Sequence, residues 1–158
     1  MLDKPHWAAL IPHQGSMCLL DTVVHWDDTR IHARTASHAR ADNPLRRDGR
    51  LHALHLCEYG AQAMAVHGGL LASAAGGRAA PGYLVALRDV HLGRDYIDDL
   101  AGELDVHGER LLATEQSWQY AFRIEHAGTL IARGRAAVMT QPTSAPPRAE
   151  PSTTRPTP

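Results

Sequence analysis

Leu51-His52-Ala53-Leu54-His55-Leu56-Cys57-Glu58-Tyr59-Gly60-Ala61-Gln62-Ala63-Met64-Ala65 opens the one long helical run of this chain. The run, rich in Ala and Leu, continues to Ser73 and meets Ala74-Ala75-Gly76-Gly77, with Pro81-Gly82 beyond. Good helix formers followed by glycine and then proline mark a helix and its end. At about 3.6 residues per turn, Leu51, Leu54, Glu58, Ala61 and Ala65 fall on one stripe, which predicts an inward face shared by an acid. A carboxyl buried there without a cationic partner titrates nearer neutrality, as a general acid requires. The same spacing also admits a slightly rotated helix, with Glu58 reaching solvent past Tyr59 or capping a loop amide.

Strand patterns surround this run. Ser117 to Glu125 alternates strictly, with Trp118, Tyr120, Phe122 and Ile124 on one face. His126-Ala127-Gly128 turns it into Thr129 to Met139, where Arg133 and Arg135 oppose Leu130, Ala132, Ala136 and Val138. Upstream, Met17 to Trp26 and Arg30 to Ala36 flank Asp27-Asp28-Thr29 as a second hairpin, and Tyr83 to Leu92 and Glu103 to Thr114 add two strands. About six strands around one slim apolar helix predict an α+β domain, an antiparallel sheet curled round its helix. Pairing with a second copy is the simplest cover for the sheet edges. From Gln141 onward the chain holds six of the ten prolines and no large apolar side chain. It reads as a disordered tail (141–158) on a domain spanning 1–140.

Composition narrows the classes. The 158 residues are 44% hydrophobic with a net charge of -1, which suits one domain with a substantial core. Arginines are interspersed with acids, so nucleic acid is not an expected partner. Met1-Leu2-Asp3-Lys4-Pro5-His6 is no charged-then-apolar leader, and no apolar run reaches membrane-spanning length, so a cytoplasmic protein with no membrane partner is expected. Cys18 and Cys57 sit in apolar segments and read as reduced core thiols. Of eleven histidines, His6, His25, His32, His38, His91, His107 and His126 are scattered and read as surface residues.

Two segments carry a resemblance. Ile11-Pro12-His13, then four residues, then Cys18-Leu19-Leu20-Asp21, together with Leu56-Cys57-Glu58-Tyr59-Gly60-Ala61-Gln62-Ala63, resemble the hotdog-fold dehydratases acting on 3-hydroxyacyl groups of acyl carrier protein. More narrowly, the chain resembles the small dehydratases of aryl polyene biosynthesis, over Leu10 to Met139. The resemblance implies a hotdog fold and a syn-type elimination to a trans-2-enoyl thioester. Its partners would be acyl carrier protein, with its phosphopantetheine-linked chain, and a second hotdog subunit in a homodimer or heterodimer. It implies Glu58 as the acid, Gln62 beside the substrate, and backbone amides, one at Ala86 where the family has Gly, holding the thioester oxygen. No cofactor is implied.

One loop departs from the family. Where a catalytic His is usual, the chain reads Asp42-Asn43-Pro44-Leu45-Arg46-Arg47-Asp48-Gly49. Asn43 is the nearest match, able to hold a carbonyl or water but not to take a proton. His13, on a loop that Gly15 lets turn, is a candidate substitute base, or a structural loop histidine. His55 and His52 precede Glu58 by three and six residues and compete with it as helix-cap or packing residues; His67 reads as incidental. A metal at His52, His55 and Glu58 is not expected, because steps of three drift by roughly 60° round the helix. Arg46, Arg47 and Arg50 are candidates to meet an acidic carrier, or a solvated run. Two other functions remain: an acyl thioesterase, and a half-site subunit whose partner supplies the missing histidine.

Overall fold

A computed structural model describes residues 1–140; the segment read as a tail (141–158) lies outside the described residues. Seven strands form one antiparallel sheet: β1 (Leu2–Asp3), β2 (Thr22–Trp26), β3 (Arg30–Thr35), β4 (Gly82–Leu92), β5 (Leu104–Ala113), β6 (Ser117–His126) and β7 (Thr129–Thr140). Their spatial order is β1-β2-β3-β5-β6-β7-β4. The strand beyond the expected six is β1, whose two residues pair with Thr22 and Val23 but are too few to show alternation. A short helix α1 (Lys4–Trp7) follows it, and the long helix α2 (Leu56–Ala74) connects β3 to β4. The expected start at Leu51 shifts, because Ala53–His55 forms a separate 3-10 turn. There the His52 Nδ1 accepts the Leu54 N–H at 3.0 Å, a cap for that turn.

Helix α2 lies on the sheet face made by β3, β5, β6 and β7. Two glycines let it come close. A Cβ on Gly60 would stand 2.7 Å from the Phe122 ring, and one on Gly68 would stand 2.4 Å from the Trp118 ring. Two of the aromatics that alternate along β6 therefore press directly against helix backbone. Leu56, Tyr59, Ala63, Met64, Val66 and Leu70 complete the buried face.

The expected stripe is not that face. Leu54 is 56% exposed, and Glu58, Ala61 and Ala65 are only half-buried. The helix is apolar on nearly every side, so its sequence does not encode which side meets the sheet.

His38, read as a surface residue, and His67, read as incidental, are core residues, both fully buried. His67 Nε2 lies 2.7 Å from the Asp27 carbonyl and must donate to it, which leaves Nδ1 to accept from the Tyr120 hydroxyl at 2.8 Å. The imidazole thus ties α2 to the β2–β3 turn and to β6. Burial pushes Tyr120 up to about 12, so it stays a donor.

The Leu130 side chain also departs from expectation. A bulge between Ile124 and Glu125 pairs Leu130 with Glu125, leaving it 46% exposed while Ile131 and Ala132 turn inward.

Strand β4 closes the order as an edge. Its Leu84 and Leu87 pair with Val138 and Ala136, two residues of β7 that face the core, yet are 44% and 40% exposed. Tyr83 and Val85 beside them are 58% and 54% exposed. The inner face of the sheet extends beyond the helix that covers it.

Two expectations follow. Gly68→Ala, which in an open helix gains about 1 kcal/mol, should here lose about 1–3 kcal/mol in urea unfolding because the methyl meets Trp118. Burial, partly offset by the hydrogen bond to Asp27, lowers the His67 pKa below its ordinary 6.5. Unfolded His67 takes up a proton as pH falls through 6.5 while the folded residue does not, so stability should decline as pH falls from there. His67→Gln should show a shallower decline in the urea midpoint.

Candidate active site

Glu58 stands in the first turn of α2, where the helix N-terminus favours an anion. The segment 11–21 runs past it. Gly15, at φ +57, starts a 3-10 turn (Gly15–Met17) that reverses the chain after His13. Cys18 Sγ donates to the His13 carbonyl at 3.3 Å, and Lys4 Nζ holds the Cys18 carbonyl at 2.8 Å. His13 Nε2 is brought to 3.1 Å from Glu58 Oε1, with the side chains 27% and 31% exposed.

Gln62, one turn on and fully buried, locks this arrangement. Its Oε1 accepts the Leu19 N–H at 2.9 Å; its Nε2 donates to the Met17 carbonyl at 2.7 Å and to Glu58 Oε1 at 3.1 Å. Both ends of the amide are engaged by protein groups, so Gln62 holds the loop and the acid rather than offering itself to a ligand.

The expected rise of the Glu58 pKa is corrected. Burial pushes the carboxyl up, but hydrogen bonds from His13 and Gln62, with the charges of His13 and His55, bring it below its ordinary 4.5. The reading from sequence lacked hydrogen-bond donors beside the acid; the loop supplies His13 and the helix Gln62. With Glu58 ionised, His13 Nε2 carries the shared hydrogen. His13 Nδ1 is buried and has no partner among the described residues.

The other candidates are not brought to this pair. Asn43 Nδ2 donates to the Ser37 carbonyl at 2.9 Å and to the Tyr59 hydroxyl at 3.0 Å, and its Oδ1 accepts the Leu45 N–H at 3.0 Å. Both N–H groups of that amide are engaged within the protein. Ala86 lies on the edge strand β4, next to a bulge between Leu84 and Ala86, and no hydrogen bond joins it to the pair among the described residues. His55 acts on Glu58 through charge alone; burial lowers its own pKa.

The arginine run is consumed locally. Arg46 donates to the carbonyls of His38, Ala39, Arg40 and Gly49, and Arg47 to those of Pro44 and Arg46. Arg50 pairs with Asp98 at 2.9 Å and lies over the Tyr96 ring at 4.1 Å. Sequence reasoning missed Thr35, Ser37 and Tyr59, whose hydroxyls form a buried chain beside the pair. The polar Thr35-Ala36-Ser37 at the end of an otherwise core-facing strand was the available signal.

One long helix packed on an antiparallel sheet, with an imidazole from a preceding loop within 3.1 Å of a carboxyl in the first helix turn, defines a hotdog fold. The chain is 23% identical over 90% of its length to a chain of the dehydratase heterocomplex ApeI:P from Xenorhabdus doucetiae, with 93% of that chain covered and a TM-score of 0.77. A hypothetical thioesterase from Streptococcus pneumoniae, solved with coenzyme A, shares the fold at a TM-score of 0.55 and 13% identity, covering 76% of this chain and 84% of that one. A putative thioesterase from Shewanella oneidensis does so at 0.59 and 10%, covering 88% and 94%. None of the curated protein sequences matches.

The family pattern of the ApeP-like dehydratases matches residues 5–148. This chain belongs to that family.

The lowered Glu58 pKa carries a sign. Between its folded value and 4.5 the unfolded chain binds a proton that the folded chain does not, so the pair's contribution is complete above 4.5 and lost as pH falls through the folded value. Glu58→Gln should flatten the acid slope of the unfolding midpoint below about pH 5. An unchanged slope would contradict the ion pair.

Proposed function

We propose that this chain dehydrates 3-hydroxyacyl thioesters carried on acyl carrier protein to trans-2-enoyl thioesters, in an aryl polyene or related fatty-acid-like pathway in the cytoplasm. Its membership of the ApeP-like dehydratases supports the reaction type. The observation that carries the reading is the His13–Glu58 pair at 3.1 Å. No helix among the described residues is long and apolar enough to cross a membrane.

The pair holds one transferable proton. In the free chain it rests on His13 Nε2, since Glu58 titrates low. With His13 as the imidazolium, covering the pair with substrate removes water from the carboxylate and raises its pKa, so the Nε2 proton passes to Glu58 and leaves a neutral imidazole with its hydrogen on Nδ1 and a free Nε2 lone pair. The imidazole then takes the C2 proton of the thioester, Glu58 protonates the C3 hydroxyl, and water leaves as the C2–C3 double bond forms. The two proton transfers restore the starting pair. Gln62 keeps the carboxylate aimed throughout.

A second hotdog subunit belongs to the working unit. Leu84 and Leu87 of β4 are 44% and 40% exposed, Leu54 in the turn before the helix is 56% exposed, and Glu58 in its first turn is half-buried. A second copy, or a different hotdog subunit as in the ApeI:P heterocomplex, would cover these side chains. A different subunit could also supply a histidine in the position that Asn43 occupies here. The thioesterase reading draws only on neighbours that share the fold.

Formation of the enoyl thioester, followed by ultraviolet absorbance, tests the proposal with the chain alone and mixed with a candidate partner. Glu58→Gln should reduce turnover by about 100-fold or more. Full activity in that variant, or release of free thiol in place of enoyl product, would overturn it.

A further inference from the structure

The outer face of the sheet, away from α2, carries a pattern that the proton transfers do not use. Residues opposite each other in an antiparallel pair point to the same side, so the register of β7 and β4 sorts their outward side chains into rows. Two rows are cationic: Arg133 opposite His91, then Arg135 opposite Arg88. Arg123 of β6 stands opposite Arg133 and lengthens the first row. Ala132 and Ala136, which alternate with these arginines along β7, are buried on the other face. The outward face continues through Ala137 opposite Ala86 to Met139 opposite Tyr83, and those last two are 52% and 58% exposed. Two neighbouring strands thus present one strip, cationic at one end and apolar at the other.

Like charges directly opposite each other weaken a sheet, so the fold does not account for these arginines. Nor are they fully neutralised. Arg123 meets Glu125, and Arg135 approaches Asp89 only at 3.7 Å with both side chains well exposed, while Arg88 and Arg133 have no ion pair among the described residues. Arginine, tyrosine and methionine exposed side by side are the residue types that protein interfaces favour.

Charge selects the occupant. The segment 141–158 follows β7 directly, but it holds two arginines and one glutamate and so repeats the sign of the strip. A second copy laid on this face would set arginines against arginines. Glu125 and Asp89, standing among the arginines, would meet the unbroken phosphates of a nucleic acid or an anionic lipid layer, whereas a protein surface can place its carboxylates opposite the arginines alone. The cationic end also lies toward the site. Beyond His91 the chain runs on to Asp95, whose carbonyl accepts the Ala53 N–H at 2.7 Å, and Tyr96 bridges to His52, at the entry to the helix whose first turn holds Glu58.

We propose that this strip docks the acidic carrier protein that presents the thioester, with Arg88, Arg133 and Arg135 meeting its carboxylates and Tyr83 and Met139 seating its apolar side chains. That the partner is the substrate carrier rests on the proposed function; the fit of the strip to an acidic protein does not.

Titration calorimetry of the full chain with a 3-hydroxyacyl-loaded acyl carrier protein, at low and high ionic strength, tests the proposal. Arg88→Glu combined with Arg135→Glu should weaken binding by about tenfold or more and flatten its salt dependence. Tyr83→Ala should weaken it severalfold and leave the salt dependence in place. Arg30→Glu, on the same outer face but on β3 beside Glu109, should leave the affinity within about twofold. In turnover the double variant should raise KM for the carrier-borne thioester with kcat unchanged, and leave a free pantetheine thioester unaffected. An unchanged affinity in the double variant, an equal loss in Arg30→Glu, or no carrier binding by the unaltered chain would overturn the proposal. So would arginine-dependent binding of phosphatidylglycerol vesicles or duplex DNA in place of the carrier, or a changed oligomeric state in the double variant. Arginine-dependent carrier binding by a chain without dehydratase activity would sustain the docking strip and refute the function.

Discussion

The Gln62 amide is the joint on which the site depends. Three hydrogen bonds radiate from a fully buried side chain to a helix carboxylate and to two backbone groups of the 13–21 segment. Lose that joint, and the loop bearing His13 loses both of the hydrogen bonds that tie its backbone to the side chain one turn beyond Glu58. An unmade bond at a buried amide costs about 1–3 kcal/mol, so the geometry is enforced by the penalty for breaking it as much as by the gain in forming it. The lowered Glu58 pKa is a direct result: burial and pairing pull in opposite directions, and pairing wins because Gln62 and His13 donate to the same oxygen.

The helix carries this joint only because it sits so close to the sheet. Phe122 and Trp118 fill the space that side chains at Gly60 and Gly68 would need, which seats α2 against β6 and turns the Glu58 flank away from the sheet. The sheet then runs on to β4, whose Leu84 and Leu87 stay 44% and 40% exposed. A partly open His13–Glu58 pair and a strand edge with exposed apolar side chains are two aspects of one arrangement, a helix that covers only part of the sheet.

Much of this was legible in the residues. Trp118, Tyr120, Phe122 and Ile124 alternate so strictly that the strand and its buried face needed no further information, and glycine followed by proline marked where the helix stops. The two short motifs, one around His13 and one around Glu58, pointed to the family and to both members of the pair. Other features were not legible. Asn43 looked like a substrate ligand because its loop aligns with a catalytic one, but its hydrogen bonds go to Ser37, Tyr59 and Leu45, partners that only folding brings near. His67 looked incidental because Asp27 and Tyr120 are 40 and 53 residues away in the chain.

The sequence by itself determined the order of the six long strands and the long helix and their antiparallel arrangement, and it marked His13 and Glu58 as candidates, because periodicity, turn chemistry and local motifs are properties of neighbours along the chain. Tertiary structure decided the rotation of the helix, the charge state of Glu58 and the task of Asn43. A helix apolar on almost every side has no preferred phase until glycine and aromatic residues meet across the core. A carboxyl's pKa likewise depends on which donors stand within about 3 Å of it, and those donors come from segments far away in sequence.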